Sequence, residues 1–320
     1  MEFGTNGATD SFLMVKTADR KVTAKGMPYL DLMLSDKTGE ISSKLWDYHE
    51  EVQGVFEPGT IVKVRGTISP YNGVNQLKIE KIRKAIPSDG VNPSDFVPSA
   101  DVSGEQLFSE LIMIAENIEN AEIRDIVTAI YNEYKDKLVF WPAAFRLHHA
   151  IRGGLLYHTL SIVRLAQSVA KIYPSVNADL LIAGAMLHDI AKTDEFTIND
   201  AGTASGYSLE GNLIGHLAKG AMIIGSFAEK LGTSEETKLL LQHMVLSHHG
   251  EPEFGAAVKP MFLEAELLSE LDLMDARVYE LTEAIGAVDA GDYTNKMWAL
   301  DNRKFYNHGR NDVSTKAKLI

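Results

Sequence analysis

Hydrophobic and polar residues alternate over the first quarter of the chain, and the period then lengthens. Between residues 12 and 83, apolar positions recur at every second residue in short runs separated by turns such as Pro58-Gly59 and Asn72-Gly73. Alternation interrupted by Gly-rich and Asn-Gly turns is typical of strands joined by hairpins. The pattern predicts five strands, at 12–16, 29–34, 41–46, 61–68 and 76–82, and a short helix at 47–53.

Five strands within about 70 residues suit the small five-stranded barrel called the OB fold. We predict that residues 11–86 form this barrel, with the short helix between its third and fourth strands. Residues 1–10 show no period and are predicted to be a disordered leader outside the fold. Residues 87–101 are rich in Pro, Ser, Gly and Asp and poor in large apolar side chains, which is typical of a linker.

From Ser103 onward the apolar residues follow a helical period. Ser103 stands three residues before Gln106, which is the spacing of a helix-capping box. The helical period continues in five longer segments, at 155–170, 178–191, 214–231, 235–246 and 261–285. The predicted fold class is therefore a small all-β OB-fold barrel followed by an all-α domain over residues 102–320.

Charge divides the chain at the same place. The 320 residues include 31 Lys+Arg, 44 Asp+Glu and no cysteine, for a net charge of −13. Residues 1–86 carry +1 and residues 87–320 carry −14, so the acidity belongs to the helical domain. Without cysteine there is no disulfide or thiolate chemistry, and any metal site must use histidine and carboxylate ligands.

The longest apolar stretches fall short of the roughly 18–20 residues that cross a bilayer, and no charged-then-apolar leader opens the chain. We therefore expect a soluble, cytoplasmic protein with no membrane partner.

Histidines and aspartates interrupt apolar helical segments of the second domain. His188-Asp189 follows the apolar run 180–187, and a buried ionisable pair is unfavourable unless partners or a metal satisfy it. Each such residue alone is more often a hydrogen-bonded core residue than a ligand. Together, on facing helices of a bundle, they predict a metal site. The other members of the set are His158, His216, His248, His249 and Asp272.

The order His158, His188-Asp189, Asp272 resembles the H…HD…D pattern of the HD superfamily of metal-dependent phosphohydrolases. The resemblance covers about residues 140–285. His216 and His248-His249 resemble the subset of that superfamily that builds a second metal site. Joined to an OB-like domain, the whole chain resembles the YhaM family of 3′→5′ exoribonucleases.

The resemblance implies two divalent ions. His158, His188, Asp189 and Asp272 would hold one ion, and His216, His248 and His249 would hold the other, with Asp189 bridging the two. A water or hydroxide between the ions would be the nucleophile, so Asp189 counts as catalytic as well. The mixed nitrogen and oxygen ligands suit Mn²⁺, Fe²⁺ or Zn²⁺, and the family favours Mn²⁺.

Side chains near these ligands are candidates for handling the substrate. Lys192 lies one turn after His188 and would neutralise charge on the phosphoryl oxygens, the alternative being a lysine that only reaches solvent at a helix end. Arg152 and His149 would line the substrate channel, Arg152 as a planar phosphate clamp. Asp275, one turn after Asp272, would orient a neighbouring group of the site.

Aromatic and basic residues on the predicted strands favour single-strand binding, because bases stack on aromatic side chains along a basic groove. The candidates are Tyr29, Trp46, Tyr71, Lys44 and Arg65. The alternative is that the aromatic residues, Trp46 in particular, face the barrel core. The predicted partner is single-stranded RNA or DNA, and a homo-oligomer encircling the strand would suit a processive enzyme.

The residues by themselves indicate a metal-dependent phosphohydrolase. The family resemblance implies 3′→5′ hydrolysis of single-stranded RNA, and possible action on DNA, with release of nucleoside monophosphates. Two alternatives stay open. One is an HD phosphohydrolase acting on a free nucleotide, a cyclic dinucleotide or an alarmone. The other, of a different class, is a nucleic-acid-binding protein with a non-catalytic HD domain.

Overall fold

The computed structural model describes residues 7–36, 39–71, 74–91, 95–96, 102–144, 151–199, 204–310 and 319. The chain divides into two compact units. The first comprises residues 1–99 together with 197–206, and the second comprises residues 100–196 and 207–320. Residues 197–206, which the sequence pattern places within the helical domain, thus belong to the first unit.

The first unit contains a closed barrel of five strands in the order β1-β2-β3-β5-β4. All neighbouring strands are antiparallel except β3 and β5, which are parallel. This confirms the predicted OB-fold barrel, and the predicted helix is the single turn α1. The elements are β1 (Gly7–Val22), β2 (Pro28–Asp36), β3 (Gly39–Trp46), α1 (Glu50–Gln53), β4 (Ile61–Tyr71) and β5 (Val74–Lys84).

Alternate side chains of these strands fill the barrel. Leu30, Leu32 and Leu34 of β2 are buried, as are Val62 and Val64 of β4. Burial of such a side chain contributes about 1.5–3 kcal/mol. The inward set fixes the register, so the residues between its members must face outward.

The prediction of a leader over residues 1–10 is wrong for its last four residues. β1 begins at Gly7 and pairs with β4 from Gly7 opposite Ile68 to Asp10 opposite Arg65. Backbone hydrogen bonding to β4 forms this part of the strand, and the sequence Gly-Ala-Thr-Asp offers no hydrophobic alternation that would reveal it. Residues 1–6 lie outside the described residues.

The second unit is helical, as predicted. At its start, the Ser103 hydroxyl accepts a hydrogen bond from the Gln106 amide at 3.2 Å, which is the predicted cap. Helix α5 packs against α4, α9 and α10. The helices are α2 (Gly104–Glu116), α3 (Ala121–Leu138), α4 (Gly154–Ile172), α5 (Ala178–Leu187), α6 (Lys192–Glu195), α7 (Leu209–Leu213), α8 (Gly215–Leu231), α9 (Glu235–Ser247) and α10 (Leu263–Gly286).

The chain leaves the α-helix at Leu187, four residues before the predicted end at Ala191. Tighter hydrogen bonds replace the helical pattern there, since the amides of Ile190 and Lys192 donate to carbonyls three residues earlier. This turn carries His188 and Asp189. It is followed by α6 and then by a hairpin that the sequence pattern did not predict, β6 (Phe196–Ile198) and β7 (Ala204–Tyr207).

Of the helices in the described part of the chain, none combines the length and apolar character that a membrane span requires.

Candidate metal centre and strand-binding surface

Five imidazoles and two carboxylates meet inside the helical unit. Their ligand atoms form three overlapping groups, each with its atoms within 4.8 Å of one another. The structure thus brings together every residue that the sequence predicts as a ligand, drawn from five separate parts of the unit. The residues are His158 on α4, His188 and Asp189 in the turn after α5, His216 on α8, His248 and His249 after α9, and Asp272 on α10.

Four of these seven residues are buried and three are partly buried. His158 and His188 are fully buried, and Asp189 is 2% exposed. Among the described residues, three buried side-chain atoms have no hydrogen-bond partner: Asp189 Oδ1, His216 Nε2 and His248 Nε2. The two histidine nitrogens lie 3.6 and 3.7 Å from that same carboxylate oxygen, too far for a hydrogen bond. Unpaired buried atoms that converge on one point fit a shared cation.

The Nδ1 atom of each imidazole forms a hydrogen bond, and this bond fixes which edge of the ring faces the cluster. In every ring Nδ1–H donates to an oxygen at 2.8–3.0 Å, so Nε2 is the nitrogen that faces the cluster and that a metal would take. The acceptors are Asp275 for His158, the Ala185 carbonyl for His188, Glu195 for His216, the Val245 carbonyl for His248 and the Phe254 carbonyl for His249.

The carboxylates of the cluster are ionised. Burial alone would raise the pKa of Asp189, but the Lys192 ammonium at 2.6 Å and the neighbouring His188 hold it well below its ordinary value. The pKa of Asp272 is also lowered, because a hydrogen bond and the charge of His158 outweigh burial. Both carboxylates therefore present ionised oxygens to the cluster.

The electrostatic environment shifts the pKa values of His158 and His248 in opposite directions. Burial alone would lower the pKa of His158, but hydrogen bonds to Asp272 and Asp275 raise it to about 10, so this imidazole is strongly basic. Burial and the adjacent His188 and His249 lower the pKa of His248 well below its ordinary value. His248 is therefore neutral at physiological pH.

Lys192 points into the cluster. Its side chain is 12% exposed and its ammonium lies 2.6 Å from Asp189 Oδ2. Burial alone would lower the pKa of Lys192, but Asp189 raises it, so the side chain stays cationic. The alternative of a lysine reaching solvent does not match this placement.

Glu195 belongs to the site and was not predicted. One of its oxygens accepts from His216 Nδ1 at 3.0 Å and from the His216 backbone amide at 3.2 Å, and Glu195 is 9% exposed. Asp275 does the same for His158 at 2.8 Å, as expected of a group that orients the site. Two histidines of the cluster, His158 and His216, are therefore each supported by a carboxylate.

Of the two residues predicted to line the substrate channel, the structure describes one. The Arg152 guanidinium lies 5.2 Å from the centre of the Phe140 ring, a cation–π contact outside the histidine cluster. His149 lies outside the described residues.

On the barrel, Tyr29 and Trp46 are paired across β2 and β3, with ring centres 4.8 Å apart. Trp46 is 43% exposed, so the alternative that it faces the core is wrong. The Lys44 ammonium lies 4.9 Å from the centre of the Tyr29 ring, and Asp31 binds it at 3.1 Å. This outward pair, with Lys44 beside it, is the barrel aromatic surface.

Arg65 and the 63% exposed Tyr71 belong to β4, which neighbours β1 and β5 but neither β2 nor β3. The five predicted strand-binding residues therefore form two groups. Between them on β5 lies the exposed Lys78, opposite Lys44 on one side and Thr67 on the other. Its place between the two groups depends on the parallel pairing of β3 with β5, which sequence spacing does not show.

Two family models match the chain, the HD domain over residues 155–277 and the OB-fold nucleic acid binding domain over residues 15–85. The protein named 3′-5′ exoribonuclease YhaM in Listeria welshimeri is 37% identical over 96% of this chain and 97% of its own length. The protein of the same name in Bacillus licheniformis is 38% identical over 93% of this chain and 94% of its own length. A solved structure of a replication protein A heterotrimer bound to single-stranded DNA matches 26% of this chain and 62% of its own, at 18% identity and a TM-score of 0.22.

Proposed function

As the chain belongs to the YhaM family of 3′-5′ exoribonucleases, we propose that it shortens single-stranded RNA from the 3′ end and releases nucleoside monophosphates. The chain is a metal-dependent hydrolase with an HD domain. We assign hydrolysis to the histidine and aspartate cluster of the helical unit and strand binding to the barrel. We also propose that single-stranded DNA is accepted, since stacking and phosphate contacts do not require a 2′-hydroxyl.

The proposal depends chiefly on one observation. Asp189 Oδ1, His216 Nε2 and His248 Nε2 are buried, unpaired among the described residues, and directed at one another across 3.6 and 3.7 Å. Such an arrangement is unfavourable for a protein that never binds a cation. It supports a catalytic HD domain over a vestigial one.

We propose that two divalent ions bind here. The first would be held by the set that contains His158 and Asp272, and the second by His216, His248 and His249, with Asp189 between them. Ions in such sites supply the Lewis acidity that activates water and polarises a phosphate. Five nitrogen and two carboxylate ligands suit Mn²⁺, Fe²⁺ or Zn²⁺, and we favour Mn²⁺.

The chain's own groups prepare the site. The five Nδ1 hydrogen bonds hold the imidazoles in one orientation, with Nε2 toward the cluster, before any ligand binds. Lys192 places a buried positive charge next to Asp189, where it would stabilise negative charge developing on the phosphoryl oxygens. On the barrel, Tyr29 and Trp46 offer a base-stacking surface and Lys44 a phosphate contact.

The test is incubation of 5′-labelled single-stranded RNA with the full chain and Mn²⁺. We expect a ladder that shortens from the 3′ end, with nucleoside monophosphates as products. Asp189→Ala should abolish the ladder while leaving RNA binding by the barrel largely unchanged. RNA that stays intact while a free nucleotide or cyclic dinucleotide is consumed would overturn the exonuclease assignment in favour of the alternative phosphohydrolase.

A further inference from the structure

The chain beyond α10 forms a two-stranded ribbon, residues 292–310, which we call the C-terminal ribbon. Tyr293 pairs with Tyr306 and Met297 with Arg303, and a single 3-10 turn, Trp298–Leu300, joins the two sides. The Met297 amide donates to the Arg303 carbonyl at 3.0 Å, closing the ribbon near this turn. The ribbon therefore has a defined backbone conformation.

The ribbon is fixed to the end of α10 by one side chain. Asn307 is 9% exposed, and its amide group donates to the carbonyls of Ile285 and Val288 at 3.2 and 2.9 Å. Asp272 lies on the same helix, about 20 Å along the axis from its end at Gly286, since each residue adds about 1.5 Å. A nucleic-acid strand bound to the ribbon would thus be held about 20 Å or more from Asp272 of the cluster.

Three aromatic side chains of the ribbon face solvent. Tyr293 is 61% exposed, Trp298 73% and Tyr306 49%. The two tyrosine rings lie side by side, with centres 5.2 Å apart. Large aromatic side chains left in water in this number mark a surface that binds something.

The same ribbon is basic within an acidic unit. Lys296, Arg303, Lys304 and Arg310 are exposed and outnumber the two carboxylates of the ribbon, Asp292 and Asp301, whereas residues 87–320 together carry −14. Arg303 lies 3.5 Å from Asp301, and the other three cations form no ion pair with any described residue. Four cations, three of them unpaired, create a local positive field in a unit that would otherwise repel nucleic acid.

We propose that the C-terminal ribbon is a second binding site for single-stranded RNA, a conclusion that rests on the proposed exonuclease function. Exposed aromatic faces interleaved with cations match a polymer in which bases alternate with phosphates. Aromatic residues and arginine are also enriched at protein interfaces, but lysine is depleted from them, so the two ribbon lysines favour RNA. The ribbon supplements the barrel by holding RNA on the helical unit itself.

The experiment uses two kinds of change in the full chain. Lys296→Glu with Lys304→Glu reverses the charge at exposed positions that form no ion pair with a described residue, where little effect on folding is expected. Trp298→Ala removes one stacking surface. A matched control, Lys171→Glu with Tyr173→Ala, alters an exposed lysine and tyrosine at the end of α4. All variants carry Asp189→Asn to block cleavage, and fluorescence anisotropy measures their binding of a labelled RNA of about 20 nucleotides.

We expect both ribbon variants to bind the RNA about tenfold more weakly than the control. The charge variant should also lower the salt dependence of binding, by about one in the slope of log affinity against log salt, whereas Trp298→Ala should leave that slope unchanged. Equal binding by ribbon and control variants overturns the proposal. So does a fall in affinity that accompanies loss of an oligomer in sedimentation, because the surface would then join copies of the chain.

A second measurement separates this inference from the function on which it rests. Hydrolysis of a dinucleotide, too short to span to the ribbon, should proceed equally in the active forms of both ribbon variants and the unmodified chain. If the unmodified chain hydrolyses neither dinucleotide nor RNA, the proposed function fails. If hydrolysis is intact and the ribbon variants bind long RNA normally, only the ribbon inference fails.

Discussion

Glu195 shows how much of the candidate site depends on groups that would not touch an ion. Its carboxylate holds both the ring and the backbone amide of His216, and Asp275 holds the ring of His158. Loss of a partner of this kind typically lowers metal affinity 10–100-fold, because the imidazole loses its orientation and part of its basicity. Each proposed ion therefore has a carboxylate behind it that tunes its binding separately.

We predict that Glu195→Ala raises the Mn²⁺ concentration for half-maximal activity by about 10–100-fold and that excess Mn²⁺ restores most of the rate. Titration of activity with Mn²⁺ measures the change. Glu195→Gln is the matched control, because its amide oxygen can still accept the Nδ1 hydrogen bond. An unchanged Mn²⁺ requirement in Glu195→Ala would show that His216 needs no such support.

Lys192 makes a different contribution, to rate and not to ligand geometry. Replacement by Gln removes a buried charge 2.6 Å from Asp189. We predict a fall in kcat of about 10²–10³-fold, the usual loss when a charge-stabilising group is removed, with RNA affinity changed little. Single-turnover cleavage and anisotropy measured on the same RNA separate the two quantities. A fall in affinity with kcat preserved would instead assign Lys192 to substrate binding.

At the scale of elements, the barrel shows how strand pairing creates a surface. Tyr29 and Trp46 are distant in sequence, but the pairing of β2 with β3 brings their rings to 4.8 Å. The two rings form one platform, and removal of either exposes and loosens the other. Residues in contact of this kind do not contribute additively.

A double-mutant cycle tests this coupling. We predict that Trp46→Ala weakens RNA binding by about 1–3 kcal/mol and that Tyr29→Ala adds clearly less in the Trp46→Ala background than alone. Tyr71→Ala, on β4, serves as the control and should add the same amount in both backgrounds. Full additivity of Tyr29→Ala and Trp46→Ala would mean that the rings act as separate sites.

The sequence predicts that these seven side chains come together, because each stands in or directly after an apolar segment where a polar or charged group is conspicuous. It does not reveal Glu195, which lies in the charged run Lys-Thr-Asp-Glu and has the appearance of a solvent-facing helix end. Only the exit from α5 at Leu187 turns that side chain toward His216. Likewise, the separation of Trp46 from Tyr71 depends on barrel closure, which a list of strands does not contain.

At the scale of the whole molecule, the two units should respond differently to metal. A ligand that binds only the folded state stabilises it, and the ligand cluster lies wholly in the helical unit. We predict that Mn²⁺ slows amide hydrogen exchange in α5 and α10 and that a chelator reverses this. Exchange in the barrel strands β2 and β4 is the internal control. Equal protection of the barrel would contradict a metal site confined to the helical unit.

The early end of α5 has a consequence for how such a chain can change over time. Residues 188–195 supply two members of the cluster, the buried lysine and the carboxylate that supports His216, all within one tight turn and one short helix. Insertion or deletion of a single residue there would rotate Glu195 away while leaving His188 in place. The segment should therefore tolerate substitutions far better than changes of length. Related chains should keep the same number of residues between His188 and Glu195.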